Sequence, residues 1–172
     1  MFKVIITGAI AMILVSSGAN ASNQRGHVNF KGAVIDAPCG IAPEKGSAAA
    51  EVDFGQVAKS YLAKGGVKVK DFYIKLTNCD VTNLKKGVAV TFSGNIVKDA
   101  ITELATSGPT GTAIVLNSMG KNIPLGTATD YITLSNNDDN TLKFSSMLKQ
   151  ATGKSVGEGD FFAVANFNLS YQ

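Results

Sequence analysis

The chain has 172 residues, a formal net charge of +3, one histidine and two cysteines. So small a charge, with no basic cluster beyond Lys85-Lys86, excludes nucleic acid or an anionic membrane surface as the partner. A single histidine leaves little material for nucleophilic or metal chemistry.

Residues 1–21 read as a secretory leader. Lys3 gives a positive start, Ile5 to Val15 is apolar apart from Thr7 and Gly8, and Ala19-Asn20-Ala21 supplies a small-x-small cleavage pattern. The apolar run is shorter than the ~20 residues a bilayer crossing needs. The alternatives are a buried helix or a retained anchor. Residues 22–172 then suit one domain that buries most of its surface, with no second domain and no repeat.

His27 to Ile35 reads as the first strand, ended by Asp36-Ala37-Pro38. Glu44 to Ala50 is a small, flexible stretch, and Val52-Asp53-Phe54-Gly55 begins the next short strand. Lys64-Gly65-Gly66 marks a turn, and Phe72, Ile74 and Leu76 share one face of a strand that leads to Cys79. Val88, Val90 and Phe92 are in phase on a further strand closed by Ser93-Gly94-Asn95. Ala100 to Ala105 is predicted as a helical turn, and Ser107 to Gly111 as a break. Ala113 to Leu116 is a buried strand, and Gly120-Lys121-Asn122 turns into Ile123-Pro124-Leu125, where the proline implies an edge. Ser135 to Asn140 is a loop, Thr141 to Leu148 a strand, and Thr152 to Asp160 a glycine-containing connection.

The last ten residues carry the strongest pattern. Ala163, Ala165, Phe167, Leu169 and Tyr171 lie on one parity, and Asn166, Asn168, Ser170 and Gln172 on the other. Successive side chains of a strand point to opposite faces, so this is a half-buried strand. Short, regularly spaced strands with turn punctuation indicate an antiparallel sandwich or barrel.

Cys39 and Cys79 both lie in the exported part, where oxidising conditions favour a disulfide, and only one intramolecular pairing is possible. Closing that loop stabilises the fold by about 4 kcal/mol in the chain-entropy view. A redox or metal pair would lack CxxC spacing and have only His27 to work with. Asp138-Asp139 lacks the alternating ligands of a calcium loop. Gly108-Pro109-Thr110-Gly111 lacks the lysine of a phosphate loop. Asn168-Leu169-Ser170 matches a glycosylation sequon inside the patterned strand. No catalytic set, metal or cofactor emerges, and the chain does not read as an enzyme.

Several landmarks in order resemble a family. They are the leader, Gly26-His27-Val28-Asn29-Phe30-Lys31-Gly32 before Cys39, Val52-Asp53-Phe54-Gly55-Gln56-Val57, Phe72 to Cys79 with Asp80, and the terminal alternation ending at Tyr171. Together they resemble the pilus subunits of the chaperone–usher type, similar to type 1 fimbrial pilins.

The resemblance implies an all-β, incomplete immunoglobulin-like sandwich that lacks its last strand and carries one disulfide. Residues 1–21 would be the signal peptide, 22–32 a short donor extension running into the first strand, and 33–172 the pilin domain. The disulfide would join the first strand to the end of the third. Ala163, Ala165, Phe167, Leu169, Tyr171 and Gln172 would border a groove for a chaperone or donor strand, with the Gln172 carboxylate gripped by basic chaperone residues. Gly26, Val28 and Phe30 would belong to the donor strand. Partners would be a periplasmic pilus chaperone, an outer-membrane usher and neighbouring pilins, with export through the periplasm to a surface fimbrium that supports adhesion.

One departure from the family's pattern concerns the donor. Ser22-Asn23-Gln24-Arg25 is polar and short, so the chain reads as a weak donor, which suits a minor or terminating pilin. Apolar side chains are what fill a groove, at about 1.5–3 kcal/mol each when fully buried. The remaining alternatives are a self-contained secreted sandwich that binds a ligand, and a small periplasmic hydrolase.

Overall fold

A computed structural model describes residues 28–30, 32, 34, 36–42, 50–136 and 139–172. The chain divides into two units, Met1–Val34 and Ile35–Gln172. The described residues of the first unit, Val28 to Phe30, Gly32 and Val34, form no strand, and Val28, Phe30 and Val34 are exposed. The strand expected over His27 to Ile35 is therefore absent at every described position. Gly26 and His27 lie outside the described residues.

In the second unit the described elements in chain order are β1 (Gly40–Ile41), the short helix α1 (Lys59–Ala63), β2 (Lys68–Thr77), β3 (Val88–Ser93), β4 (Ile96–Val97), β5 (Ala100–Ala105), β6 (Thr112–Ser118), β7 (Lys121–Asn122), β8 (Asp139–Gln150) and β9 (Asn166–Tyr171). One sheet runs β1-β2-β8-β6-β5-β4, with β7 paired to β6, and β3 pairs with β9 in a second. All pairings are antiparallel.

The two sheets face each other across one apolar core. Ile74, Leu76, Leu116, Leu142 and Phe144 come from the large sheet, and Val88, Val90 and Phe92 from the small one. These positions alternate along their strands because inward and outward side chains must. Phe92 meets Phe144 edge-on at 5.1 Å, and Phe72 stacks on Phe144 at 5.5 Å. The Cys39–Cys79 disulfide brackets the β1–β2 pair. It thus joins the first two strands of the described chain, where the resemblance implied the first and third.

The strand lost from the count is the one expected at Val52 to Gly55. Val52 to Gly55 is not a strand: the Asp53 carboxylate accepts the Gly55 N–H at 2.7 Å, and Gly55 takes a φ of 61°. An Asp that bonds the backbone two residues on makes a turn. Phe54 then packs with Leu62 of α1, Leu148 and Val156 as a satellite core. Ala100 to Ala105 is a strand, not a helical turn. Its residues pair with β4 on one side and β6 on the other, and that tertiary pairing outweighs the helix preference of Ala, Leu and Glu. A carboxylate staple reinforces it. Glu103, 5% exposed, pairs with the Lys149 ammonium and accepts the Thr152 N–H at 2.8 Å and hydroxyl at 2.7 Å. Burial pushes the Glu103 carboxyl up, but the bonds from Lys149 and Thr152 prevail and hold it below its ordinary value.

Candidate strand-accepting groove

β3 lies between β9 and the segment 126–132, to which isolated bridges and backbone bonds tie it. Val88 exchanges both backbone bonds with Ile132, the Val90 carbonyl accepts from Thr129, and the Phe92 carbonyl from Gly126. These residues therefore spend their backbone groups on the segment 126–132. Alternate residues of an antiparallel strand direct their N–H and C=O to opposite sides. Ala89, Thr91 and Ser93 consequently serve β9, opposite Ser170, Asn168 and Asn166.

The same alternation applied to β9 fixes its free side. Asn166, Asn168 and Ser170 bond to β3, so the N–H and C=O groups of Phe167, Leu169 and Tyr171 face the other way. Among the described residues no strand pairs with that side. β9 is an open edge beside a partly covered core. Ala163, Ala165, Phe167, Leu169 and Tyr171 are all half-buried, and the alternate residues from Phe162 to Gln172 are exposed. In a closed sandwich the inward parity would be buried outright, as it is on β3.

Beside the first three of them, Ala163, Ala165 and Phe167, lies a cleft of about 940 Å³. Its floor is made by inward residues of the large sheet and β3, among them Phe72, Ile74, Leu116 and Phe92. Ile41 of β1 stands on one side and residues 161–167 on the other. The aromatic floor continues into the wall, with Phe92 and Phe167 at 6.4 Å. The groove so formed is apolar within and edged by unpaired backbone, which is the chemistry that receives an extended strand.

Tyr171 pairs across to Val88. Burial pushes its phenol up, and its hydroxyl is buried without a hydrogen-bond partner. Gln172, expected as an external handle, is also engaged within the chain. It exchanges backbone bonds with Gly87, and its backbone oxygen accepts the Lys86 N–H as well. Its side-chain carbonyl accepts from Tyr131 at 2.7 Å and from the Lys86 ammonium at 3.2 Å. Of the six terminal residues singled out in the sequence, Ala163, Ala165 and Phe167 line the cleft, Leu169 and Tyr171 continue the same parity along β9, and Gln172 is tied to Gly87. Val28 and Phe30 belong to the other unit, and Gly26 is not among the described residues. Sequence reasoning did not find the floor residues Phe72, Ile74, Phe92 and Leu116 as groove positions, because a core side chain and a groove-floor side chain have the same pattern. Among the described residues no three His, Cys, Asp or Glu side chains converge as a metal site.

Comparison with known proteins agrees with this geometry. The family model described as "Fimbrial protein" matches residues 28–172. KS71A fimbrillin of Escherichia coli is 50% identical over the full length of both chains. The Pap fimbrial major pilin protein of E. coli is 44% identical, again with both chains fully covered. A solved chaperone–usher pilus structure, described in connection with rod uncoiling, contains a chain 43% identical, with a TM-score of 0.75 over 87% of this chain and 97% of that one. An open-edged sandwich of this sequence is a pilin: the chain belongs to the fimbrial protein family and is a structural subunit of a chaperone–usher pilus.

Proposed function

We propose that the groove is completed in two stages, first by a strand from a periplasmic chaperone and then by the N-terminal segment of a neighbouring subunit during assembly at an outer-membrane usher. The observation that carries this reading is the open side of β9, where, among the described residues, no strand pairs with the backbone groups of Phe167, Leu169 and Tyr171. An exposed edge beside uncovered apolar surface is an aggregation hazard, so such a chain needs an escort until a strand fills it.

In this reading residues 1–21 are removed on export, 22–32 form the donor extension, and 33–172 the accepting domain. Ala163, Ala165, Phe167, Leu169, Tyr171 and Gln172 form the accepting wall, and Gly26, Val28 and Phe30 belong to the donor. Val28 and Phe30 are exposed and of one parity, which supports a donor role. The polar Ser22 to Arg25 supports a second reading, that donation is weak and the subunit ends or initiates a fibre. The role is structural rather than catalytic, with adhesion served by the assembled fimbrium at the cell surface.

Purifying the chain alone and together with a pilus chaperone tests the proposal. The chain should be soluble only in the complex, and a peptide of residues 22–34 should displace the chaperone. A soluble, cooperatively folding monomer would contradict acceptance, and failure of the peptide alone would favour the weak-donor reading.

A further inference from the structure

The accepting wall begins where two loops interlock. Gly108 has a φ of 92°, and a Cβ there would lie 2.2 Å from the Asp160 carbonyl oxygen. Gly111 has a φ of 58° and would place its Cβ 2.2 Å from the Ser155 carbonyl oxygen. From the opposite loop, a Cβ on Gly157 would meet the Pro109 carbonyl oxygen at 2.3 Å, and one on Gly159 the Pro109 ring at 2.7 Å. The approach is reciprocal, glycine against backbone on both sides, and no other residue type fits at these separations.

Hydrogen bonds lock the same two loops. The Gly157 N–H donates to Thr110 at 2.9 Å and the Ala151 N–H to Gly111 at 3.0 Å. The Ser107 N–H and hydroxyl both donate to the Phe162 carbonyl, at 2.8 and 3.0 Å. Ala163, the first inward residue of the wall, follows that anchored carbonyl directly. Phe161, Phe162 and Ala163 all line the cleft.

We propose that these glycines and Ser107 are positioning residues for strand acceptance: the double-loop clasp holds the Ala163 end of the wall in the place an incoming strand requires. The inference rests on the strand-accepting reading of the groove. A wall already ordered spares the incoming strand the entropy of ordering it, which is how a preorganised site gains affinity and rate. Without the clasp, residues 162–165 would lose this backbone anchor upstream of the β3–β9 ladder.

The test uses the full-length chain, complexed with its escort where needed, carrying Ala163→Cys or Leu169→Cys as a reporter for maleimide labelling. Capture of a fluorescent peptide of residues 22–34 is followed in parallel. In Gly108→Ala, labelling at position 163 should accelerate at least about fivefold, labelling at 169 should stay unchanged, and peptide capture should slow to a similar degree. Ser107→Ala, which retains the backbone bond and removes only the hydroxyl's, should shift both in the same direction by about twofold and serves where Gly108→Ala does not fold. Gly120→Ala, at a φ of 81° in open space, imposes comparable backbone strain away from the groove and should change neither. Unchanged labelling at 163 in folded variants overturns the clasp, as does equal acceleration at 163 and 169, or faster labelling with undiminished capture. A parent protein that captures no peptide and is also a soluble, cooperatively folding monomer refutes the accepting reading of the groove, while the labelling contrast still decides the clasp.

Discussion

Replacing one backbone amide of β9 by an ester separates the two sides of the strand. An ester at Leu169 removes an N–H that faces the open edge; one at Asn168 removes an N–H committed to Thr91 of β3. A backbone hydrogen bond contributes a net 0.5–1.5 kcal/mol, about 1 kcal/mol in the middle of that range. Since 1.4 kcal/mol is tenfold in affinity, loss of one edge bond corresponds to about a fivefold weaker complex. The Leu169 ester should therefore weaken strand binding about fivefold and leave the β3–β9 pairing intact. The Asn168 ester should lower unfolding free energy by about 1 kcal/mol and leave strand affinity near the parent's. The esters are introduced by peptide ligation of the segment that carries β9. Strand affinity is measured by fluorescence anisotropy of a labelled donor peptide, and stability by urea unfolding of the filled domain. Equal effects of the two esters on affinity, or a larger effect at Asn168, would refute the assignment of the free side.

Other outcomes follow from packing and charge. Phe167→Ala removes a half-buried ring 6.4 Å from Phe92, and a fraction of the 3–5 kcal/mol of a full Phe truncation, about 2 kcal/mol, should be lost from the filled domain in urea titration. Cys39→Ser with Cys79→Ser opens a loop with a sequence separation of 40, which lowers stability by about 4 kcal/mol in calorimetry under the chain-entropy view. Glu103→Gln should cost about 1.5–3 kcal/mol at neutral pH, the value of bonds to a charged group, and flatten the acid limb of the stability profile. The Glu103 carboxyl is held low in the folded state, so its contribution is full above the unfolded value and disappears as pH falls through the folded one. Parent and variant should converge in denaturant midpoint at acidic pH, and a constant gap would contradict the staple.

The terminal strand was legible because one face of it is apolar and the other polar, so the parity of Ala163 to Tyr171 states both the conformation and the side that meets the core. That it lacks a neighbour was not legible from parity, since a strand with an open edge and one with a covered edge alternate alike. β5 was missed because Ala, Leu and Glu favour a helix locally, and only pairing with β4 and β6 overrides them. Helix α1 gave no start signal: Ala58 at its N-cap makes no side-chain bond, and the helix is held by Leu62 packing under Phe54. The glycines of residues 107–111 and 153–159 announced breaks, but their meeting is a contact between loops about fifty residues apart, which local pattern does not encode. The disulfide pairing was fixed by arithmetic alone, as two cysteines allow one bond.

The tether between Gln172 and Gly87 acts as the zero mark of a ruler. A slip of one residue along β3 would turn Phe167, Leu169 and Tyr171 away from the core and present asparagine and serine instead. The paired backbone bonds at Gly87, reinforced by Tyr131 and Lys86, pin the scale before any strand arrives. Every copy of the subunit thus offers the same origin to the strand it receives, and a polymer built from such copies inherits a constant repeat from a two-residue fastening.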